Sequence, residues 1–247
     1  MNNLNDILNL ENKNALITGA TGGIGEAIAF QFAQLRMNLC LTGRNESKLK
    51  KIKKNLEKLS PKIEIITANL ADEEQLKKIV DFYKKNYSTL DILVHSAGVI
   101  LTGPAETASV EGLKLHLGVN YVAPFIITKS LLPVIRESKG QIVFVNSSAI
   151  QRPIGNLGQY TSSKFALKGL ADSLREEVNA DGIRILSIYP GKTATTMQKN
   201  LYHQANKRYI AEKLLQPEDV AIAILNAILM PMTAEITEIF IRPMQKS

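Results

Sequence analysis

Short apolar runs alternate with longer amphipathic stretches along the whole 247-residue chain. Most of the short runs are almost continuously apolar, which is typical of parallel strands covered by helices on both faces. Such strict alternation favours right-handed crossovers, and therefore an α/β fold with one doubly wound sheet of about seven parallel strands. Strands are predicted over residues 14–18, 38–42, 62–68, 91–95, 141–146, 183–189 and 235–241. Helices are predicted over residues 24–36, 46–59, 72–86, 106–137, 158–180 and 217–229.

Residues 192–216 interrupt this alternation. The segment is polar, contains two tyrosines and connects the sixth predicted strand to the last predicted helix. A connection of 25 residues is usually functional, and this one should lie at the carboxyl edge of the sheet, where open α/β folds bind ligands. We therefore expect a lid over the substrate. The chain contains no linker or internal repeat, so residues 1–247 are expected to form one domain.

The composition is that of an ordinary globular protein, with 45% hydrophobic and 21% charged residues. Cys40 is the only cysteine, which excludes a disulfide framework and a zinc cluster and favours a reducing cytoplasm. No stretch approaches the roughly 20 apolar residues that span a bilayer, so we expect no membrane partner. Residues 1–6 lack the basic and apolar regions of a signal peptide.

The formal net charge of +7 arises largely in one lysine-rich segment. Apolar residues recur there at helical spacing, so the lysines are interpreted as the exposed side of an amphipathic helix. A nucleic-acid binder is the alternative. No aromatic residues are interleaved for base stacking and no recognition motif is present, so we expect no nucleic-acid partner. The lysines are Lys48, Lys50, Lys51, Lys53, Lys54, Lys58 and Lys62.

Residues 18–25 read TGATGGIG and lie between the first predicted strand and the first helix. Glycines at such a junction let the backbone turn sharply and approach a pyrophosphate, which binds at the helix N-terminus. The flanking strand and helix distinguish this loop from an ordinary glycine turn. The residues expected to bind a dinucleotide here are Gly19, Thr21, Gly22, Gly23, Ile24 and Gly25.

The glycine spacing, TGxxxGxG, resembles that of the short-chain dehydrogenase/reductase family. Tyr160 and Lys164 match the family's YxxxK motif. Ser147 lies 13 residues before the tyrosine, where the family's catalytic serine falls, and Asn120 matches its active-site asparagine. The likeness extends over residues 10–241. It implies a Rossmann domain and an NAD(P)-dependent oxidoreductase that acts on a small carbonyl compound or alcohol.

The resemblance also implies roles for these residues. Tyr160 would be the acid in ketone reduction and the base in alcohol oxidation, and Ser147 would hydrogen-bond the substrate oxygen. Lys164 would hold the nicotinamide ribose, and Asn120 would support a water relay to Lys164. A free phenol has a pKa of about 10, so a nearby ammonium and an oxidised nicotinamide are expected to lower the pKa of Tyr160.

Two departures from the family pattern leave this chemistry intact. His95 and Ser96 stand where the family usually has two asparagines, and Asn69 replaces its usual aspartate. The C-terminus lacks the glycine-rich tail of the acyl-carrier-protein ketoreductases, which disfavours a role in fatty-acid synthesis. The resemblance also implies that residues 106–137 and 158–180 pair with their copies in a homodimer or homotetramer. Further cofactor contacts are expected at Asn69, Leu70, Ser96, Ala97, Gly98, Pro190, Gly191, Thr193 and Thr195.

The second strand ends in Gly43 and Arg44, where NAD-binding proteins of this fold place an acid for the ribose 2′-hydroxyl. Glycine neither repels nor crowds a 2′-phosphate, and a guanidinium can bind it with paired hydrogen bonds. Lys48 is expected to add to the positive field. The sequence therefore favours NADP(H) over NAD(H). The alternative is that Arg44 only faces solvent.

A non-catalytic dinucleotide-binding regulator that senses redox state is the alternative function. Such relatives usually lose the tyrosine or the lysine, whereas both are present here. An extended-branch epimerase or dehydratase would usually be longer. The three histidines show no metal-ligand spacing and are interpreted as packing or surface residues, with His203 also a candidate for substrate contact; they are His95, His116 and His203.

The substrate pocket is expected between residues 99–102, residues 149–154 and the 192–216 segment. An apolar wall is expected from Ile100, Ile150 and Ile154. Arg152 is interpreted as a surface charge, with the alternative that it anchors an acidic group of the substrate.

Overall fold

Seven apolar segments pair into one parallel sheet in the computed structural model, which describes residues 9–245. The expectation for residues 1–6 lies outside this range. Along the sheet the strands follow the order β3-β2-β1-β4-β5-β6-β7, so the predicted α/β class and doubly wound sheet are confirmed. The strands are β1 (Asn14–Thr18), β2 (Asn38–Gly43), β3 (Ile63–Thr67), β4 (Ile92–His95), β5 (Gln141–Val145), β6 (Arg184–Pro190) and β7 (Glu238–Ile241).

Helices cover both faces of the sheet. Successive strand residues point to opposite faces, as Leu16 and Ile17 do in β1. One face is covered by α1, α2 and α8, and the other by α3, α5 and α6. The helices are α1 (Gly23–Gln34), α2 (Glu46–Leu56), α3 (Glu73–Asn86), α4 (Val110–Leu117), α5 (Ala123–Ser138), α6 (Gly158–Val178), α7 (Thr196–Gln204) and α8 (Pro217–Ile228).

The strand order reverses between β1 and β4. The chain moves from β1 outward to β2 and β3, and then returns to place β4 on the other side of β1. Beyond the carboxyl ends of two such strands the crossover connections diverge and leave a crevice, which is where open α/β sheets bind ligands.

The predicted helix over 106–137 is divided. It begins at Val110, after a cap in which Ser109 Oγ accepts a hydrogen bond from Gly112 N at 3.0 Å. A π turn, Gly118–Val122, separates α4 from α5. Pro124 explains the irregularity, because it has no N–H to donate to the carbonyl of residue 120. Apolar periodicity does not reveal this turn.

The run Val110–Ser138 is long and apolar enough to cross a membrane by length and composition alone, which the sequence analysis did not recognise. Core helices of soluble proteins pass the same test. In this run Ile127, Leu131 and Ile135 are completely buried against the sheet.

The 192–216 segment contains two elements that the sequence analysis did not predict. They are α7 and a 3₁₀ turn at Ala211–Lys213. Because α7 is short and has no fully buried residue, its apolar pattern is too weak to be recognised.

Candidate active site

The glycine loop connects β1 to α1 and requires its small residues for steric reasons. Gly19 has a φ of +68°, and a Cβ there would lie 2.6 Å from Ala97 Cα. A Cβ at Gly25 would lie 2.4 Å from the carbonyl oxygen of Gly19. Gly22 caps α1 without a side-chain hydrogen bond, so the first N–H groups of the helix remain available to an anion.

A cavity of about 310 Å³ extends from this loop to α6. It is lined by fifteen of the predicted cofactor residues: Gly19, Thr21, Gly22, Gly23, Ile24, Gly25, Arg44, Asn69, Leu70, Ser96, Ala97, Gly98, Tyr160, Lys164 and Thr195. The other three predicted residues, Pro190, Gly191 and Thr193, lie outside this lining, at the end of β6. The lining also includes residues to which no cofactor contact was assigned: Gly43, Ala68, Val99, Val119, Val145, Asn146, Thr196 and Met197.

Tyr160 and Lys164 lie on one face of α6, and both are buried, with exposures of 9% and 4%. Lys164 Nζ donates to the Val145 carbonyl at 3.0 Å and lies 6.0 Å from the centre of the Tyr160 ring. Burial lowers the pKa of Lys164 to about 8. The ammonium is thus held at the carboxyl end of β5, beside the phenol.

Burial raises the pKa of the Tyr160 phenol, while its hydrogen bond with the Ser147 hydroxyl acts in the opposite direction. Desolvation is the larger of these two effects on the pKa, and the lowering expected from the ammonium together with an oxidised nicotinamide stays a prediction. The buried phenol is therefore protonated near neutral pH, which is the form that can donate a proton. Ser147 follows β5, and its Oγ also accepts from Ala149 N at 3.2 Å.

Asn120 lies in the π turn and is completely buried. Its side-chain amide pairs with both backbone groups of Val99: Oδ1 accepts from N at 2.9 Å, and Nδ2 donates to O at 3.0 Å. Nδ2 also donates to Ser163 Oγ at 2.9 Å, and Ser163 in turn donates to the Tyr160 carbonyl at 2.7 Å. Asn120 therefore connects the segment after β4 to the backbone of α6.

Gly98 leaves open a small space that Asn120 and Lys164 share. A Cβ on Gly98 would lie 3.4 Å from Asn120 Oδ1 and 3.9 Å from Lys164 Nζ. Both polar atoms therefore lie within 4 Å of one point beside Gly98. Any larger residue at position 98 would occupy this point.

Asn146 is a buried residue of the site that sequence reasoning missed. Its Nδ2 donates to the Lys164 carbonyl at 3.2 Å, and its Oδ1 accepts from Ser147 N at 2.9 Å. The side chain thereby fixes the serine against the helix that carries the tyrosine and lysine. Its only sequence signal is its position next to Ser147.

The opposite end of the cavity is exposed. Arg44 follows β2 and Asn69 follows β3; both are exposed, and both line the cavity. A Cβ on Gly43 would lie 2.8 Å from Thr21 Oγ1, so Thr21 already fills the space beside the strand end. Lys48 pairs with Glu26 at 3.1 Å, which compensates the charge that was expected to reinforce Arg44.

The two ends of the 192–216 segment are hydrogen-bonded to each other, and we call these ends its base. Ala194 N donates to Leu215 O at 2.7 Å, and Leu215 N donates to Lys192 O at 3.0 Å. Between these ends, Thr195 packs on the glycine loop, since its Cγ2 lies 2.9 Å from the position of a Cβ on Gly23. Met197 lines the cavity and is 39% exposed.

The remaining predicted residues lie in different environments. His95 is buried and its Nε2 lies 2.8 Å from Thr128 Oγ1, whereas Arg152 and His203 are exposed. Of the predicted apolar wall, Ile150 is buried and Ile154 is exposed. In the part of the chain that the structure describes, no cluster of three His, Cys, Asp or Glu side chains could hold a metal ion.

The glycine cradle, the open helix N-terminus and the cationic rim at Arg44 fit a phosphate-bearing dinucleotide. The sterically required glycines line the cavity and carry no side chain that would keep a ligand from the loop backbone. Arg44 is separated from the Tyr160 end by β1 and β4, so the two ends of one elongated ligand can be bound by different groups.

Comparison with known proteins gives a consistent result. The family model for short chain dehydrogenase matches residues 13–206. An uncharacterised oxidoreductase of Staphylococcus saprophyticus is 28% identical, with 96% of this chain and 100% of that protein covered. Sepiapterin reductase of Chlorobaculum tepidum is also 28% identical, with 92% and 95% covered. An alcohol dehydrogenase of the archaeon Thermococcus sibiricus, solved with 5-hydroxy-NADP, gives a TM-score of 0.85 at 26% identity, with 95% of this chain and 98% of that one covered.

Proposed function

The chain belongs to the short-chain dehydrogenase family of oxidoreductases, and on that premise we propose that it is an NADP-dependent enzyme that interconverts a ketone or aldehyde with an alcohol. The observation that carries the proposal is the buried pair of Tyr160 and Lys164 in the same cavity as the glycine cradle and Arg44. The glycine loop would hold the phosphates of the cofactor, and the residues of α6 would hold its nicotinamide end.

When bound, the nicotinamide supplies or accepts the hydride. The chain's own residues bind and orient the substrate and move the proton. Ser147 donates a hydrogen bond to the substrate oxygen, and the protonated Tyr160 phenol donates its proton there as the alcohol forms. Lys164 and Asn120 face the point beside Gly98, through which a proton can return to the site. In alcohol oxidation the same groups work in reverse.

The preference for NADP(H) rests on Arg44. Arg44 lines the cavity directly after β2, and the preceding residue, Gly43, carries no acidic side chain. A planar guanidinium is suited to paired hydrogen bonds with a phosphate. The alcohol dehydrogenase of Thermococcus sibiricus, solved with an NADP derivative, is a precedent for this choice in the fold.

The 192–216 segment is a lid in this proposal. It is closed at its base by the pairing of Thr193 with Leu215, and its first helix lies over the cavity at Met197. We infer also that the enzyme is a homodimer or homotetramer that pairs through α5 and α6, on which Phe125 and Phe165 are 41% and 48% exposed. Light scattering at micromolar concentration tests the assembly, and a monomer would contradict it.

The experiment is NADPH oxidation, followed by the loss of NADPH absorbance, with a panel of ketones and aldehydes, accompanied by a direct measurement of NADPH binding. Turnover of at least one carbonyl class, with Tyr160→Phe inactive, is expected. Tight NADPH binding without turnover of any carbonyl would instead indicate a redox-sensing regulator. Absence of nicotinamide binding would overturn the proposal altogether.

A further inference from the structure

His116 is a completely buried histidine on α4 whose two ring nitrogens are both hydrogen-bonded. Nε2 lies 2.9 Å from the Leu101 backbone nitrogen, and Nδ1 lies 2.7 Å from the Gly112 carbonyl oxygen. A peptide N–H can only donate and a carbonyl can only accept, so these partners require a neutral imidazole with its hydrogen on Nδ1. The ring therefore joins α4 to the segment that follows β4.

The same helical run holds that segment at a second point. Asn120, four residues further on in the π turn, pairs with both backbone groups of Val99. The backbone of residues 99–101 is thus fixed at alternate positions. Val99 lines the cofactor cavity, and Leu101 lines a second cavity of about 340 Å³.

The His116 ring also packs against the ring of Tyr160. The ring centroids are 6.2 Å apart and the planes are inclined by 67°, an edge-to-face contact. One side chain consequently contacts the residue proposed to transfer the proton and fixes the segment proposed to form a wall of the substrate pocket. The hydrogen bonds are what histidine adds here, since phenylalanine could fill the same space.

We propose that His116 is a positioning residue, which sets the distance between segment 99–101 and Tyr160 and so shapes the entrance for the carbonyl substrate. This inference rests on the proposed function, because it matters for turnover only if the substrate binds between that segment and the phenol. The structural role can be measured separately from the kinetic role.

Three variants separate the two hydrogen bonds. In His116→Gln, Oε1 can replace Nε2 as the acceptor for Leu101 N–H. In His116→Asn, Nδ2 can replace Nδ1–H as the donor to Gly112, while Leu101 N–H loses its partner. His116→Phe keeps the ring volume and loses both bonds. Lys114→Gln, a change at an exposed residue of the same helix, is the matched control.

We expect KM for the carbonyl substrate to rise about threefold to tenfold in the Asn and Phe variants, the equivalent of one buried hydrogen bond. The Gln variant and the Lys114→Gln control should stay within about twofold of wild type, and KM for NADPH should change little in all four. Amide exchange at Leu101, which requires no turnover, should accelerate in the Asn and Phe variants and be restored by Gln.

Equal KM and equal Leu101 exchange in the Asn and Gln variants would overturn the proposal, because His116 would then be a packing residue only. A wild-type enzyme that reduces no carbonyl refutes the proposed function and the kinetic half of this inference with it. The exchange measurement still decides whether His116 holds the segment. The two failures are therefore distinguishable.

Discussion

The two ends of the cavity are built in opposite ways. At the α6 end, Tyr160, Lys164 and Asn120 are each at most 9% exposed, and each is held by hydrogen bonds. At the other end, Arg44 and Asn69 are exposed and are placed mainly by the backbone at the ends of β2 and β3. Proton transfer depends on groups that are desolvated and fixed beforehand, whereas a phosphate can be recognised by charge at an open rim. The difference predicts where substitutions affect turnover and where they affect binding.

The largest effect is expected at the buried end. Tyr160→Phe removes the only proposed proton donor and keeps the ring, so kcat should fall at least about 10²-fold, while KM for NADPH should change little. Steady-state kinetics at saturating substrate measures both. Tyr87→Phe is a matched control, because the Tyr87 hydroxyl is buried without a hydrogen-bond partner and lies outside the cavity lining. Near wild-type turnover in Tyr160→Phe would show that Tyr160 does not transfer the proton, and that turnover does not depend on the buried end as the comparison predicts.

The next effect is expected at the exposed end, and on binding. Arg44→Ala should reduce kcat/KM for NADPH about tenfold to a hundredfold through KM, because charge-assisted hydrogen bonds to the 2′-phosphate are lost. The kcat/KM for NADH should hardly change. Lys48→Gln is the control, and an effect below about threefold is expected because Lys48 already pairs with Glu26. A wild-type preference for NADH would contradict the role assigned to Arg44.

Reversal of cofactor preference requires space for a side chain at position 43 as well as a change of charge. Gly43→Asp with Arg44→Ile would supply a carboxylate for a 2′-hydroxyl, but a Cβ at position 43 meets Thr21 Oγ1 at 2.8 Å. The double variant should therefore lose NADPH without gaining much NADH activity. Adding Thr21→Ala should restore the space and complete the reversal. If the double variant performs as well as the triple, Thr21 is not the obstacle.

A smaller effect, on stability, follows from Lys164. Its pKa in the folded protein is about 8 against an ordinary value of 10.5, so between these values the unfolded chain binds more protons and stability rises with pH. Below pH 8, burial of the charge costs roughly 3 kcal/mol. Lys164→Met removes this cost. It also leaves the Val145 carbonyl without its hydrogen-bond donor, which lowers the free energy of unfolding by about 1 kcal/mol.

Lys164→Met should therefore lose activity and yet unfold at a Tm about 4–8 °C higher at pH 7, since about 2 kcal/mol of the cost remains removed. The gain should shrink as pH approaches 10, where the wild-type lysine is neutral in the folded state. Lys114→Met, at an exposed position on α4, should leave Tm unchanged. A lower Tm for Lys164→Met at pH 7 would mean that the buried lysine makes a net stabilising contribution to the folded protein.

The sheet could be predicted because its strands carry local signals. Parallel strands covered on both faces are continuously apolar, and the glycine loop marks where β1 ends. The Tyr160 and Lys164 pair was identified by its resemblance to the family's YxxxK motif, and its four-residue spacing on a helix places both side chains on one face. The π turn at Gly118–Val122 was not found, since its one sequence signal, Pro124, reads equally well as the start of a new helix.

The contacts that fix the buried end could not be predicted. Asn120 bonds to Ser163, 43 residues away, and Leu101 N bonds to His116, 15 residues away. Periodicity and spacing contain no information about such long-range partners. From the sequence, His116 is therefore interpreted as a packing or surface residue, and Asn146 only as the neighbour of Ser147. Their hydrogen-bond partners are visible only in the three-dimensional structure.

The smallest effect concerns the lid, which lies between the two ends. Its base is fixed by hydrogen bonds between residues 192–194 and Leu215, whereas α7 has no fully buried residue. Segments with few buried contacts open at little cost in free energy, so amides of residues 196–210 should exchange rapidly in the free protein. NADPH with a ketone analogue should slow them about threefold to tenfold, as one or two new contacts form. The base and α6 serve as internal controls, because their exchange should be slow in both states. If residues 196–210 are as strongly protected from exchange as α6 before any ligand is added, the segment is a rigid wall of the cavity. The molecule would then not consist of a fixed catalytic end and a mobile lid.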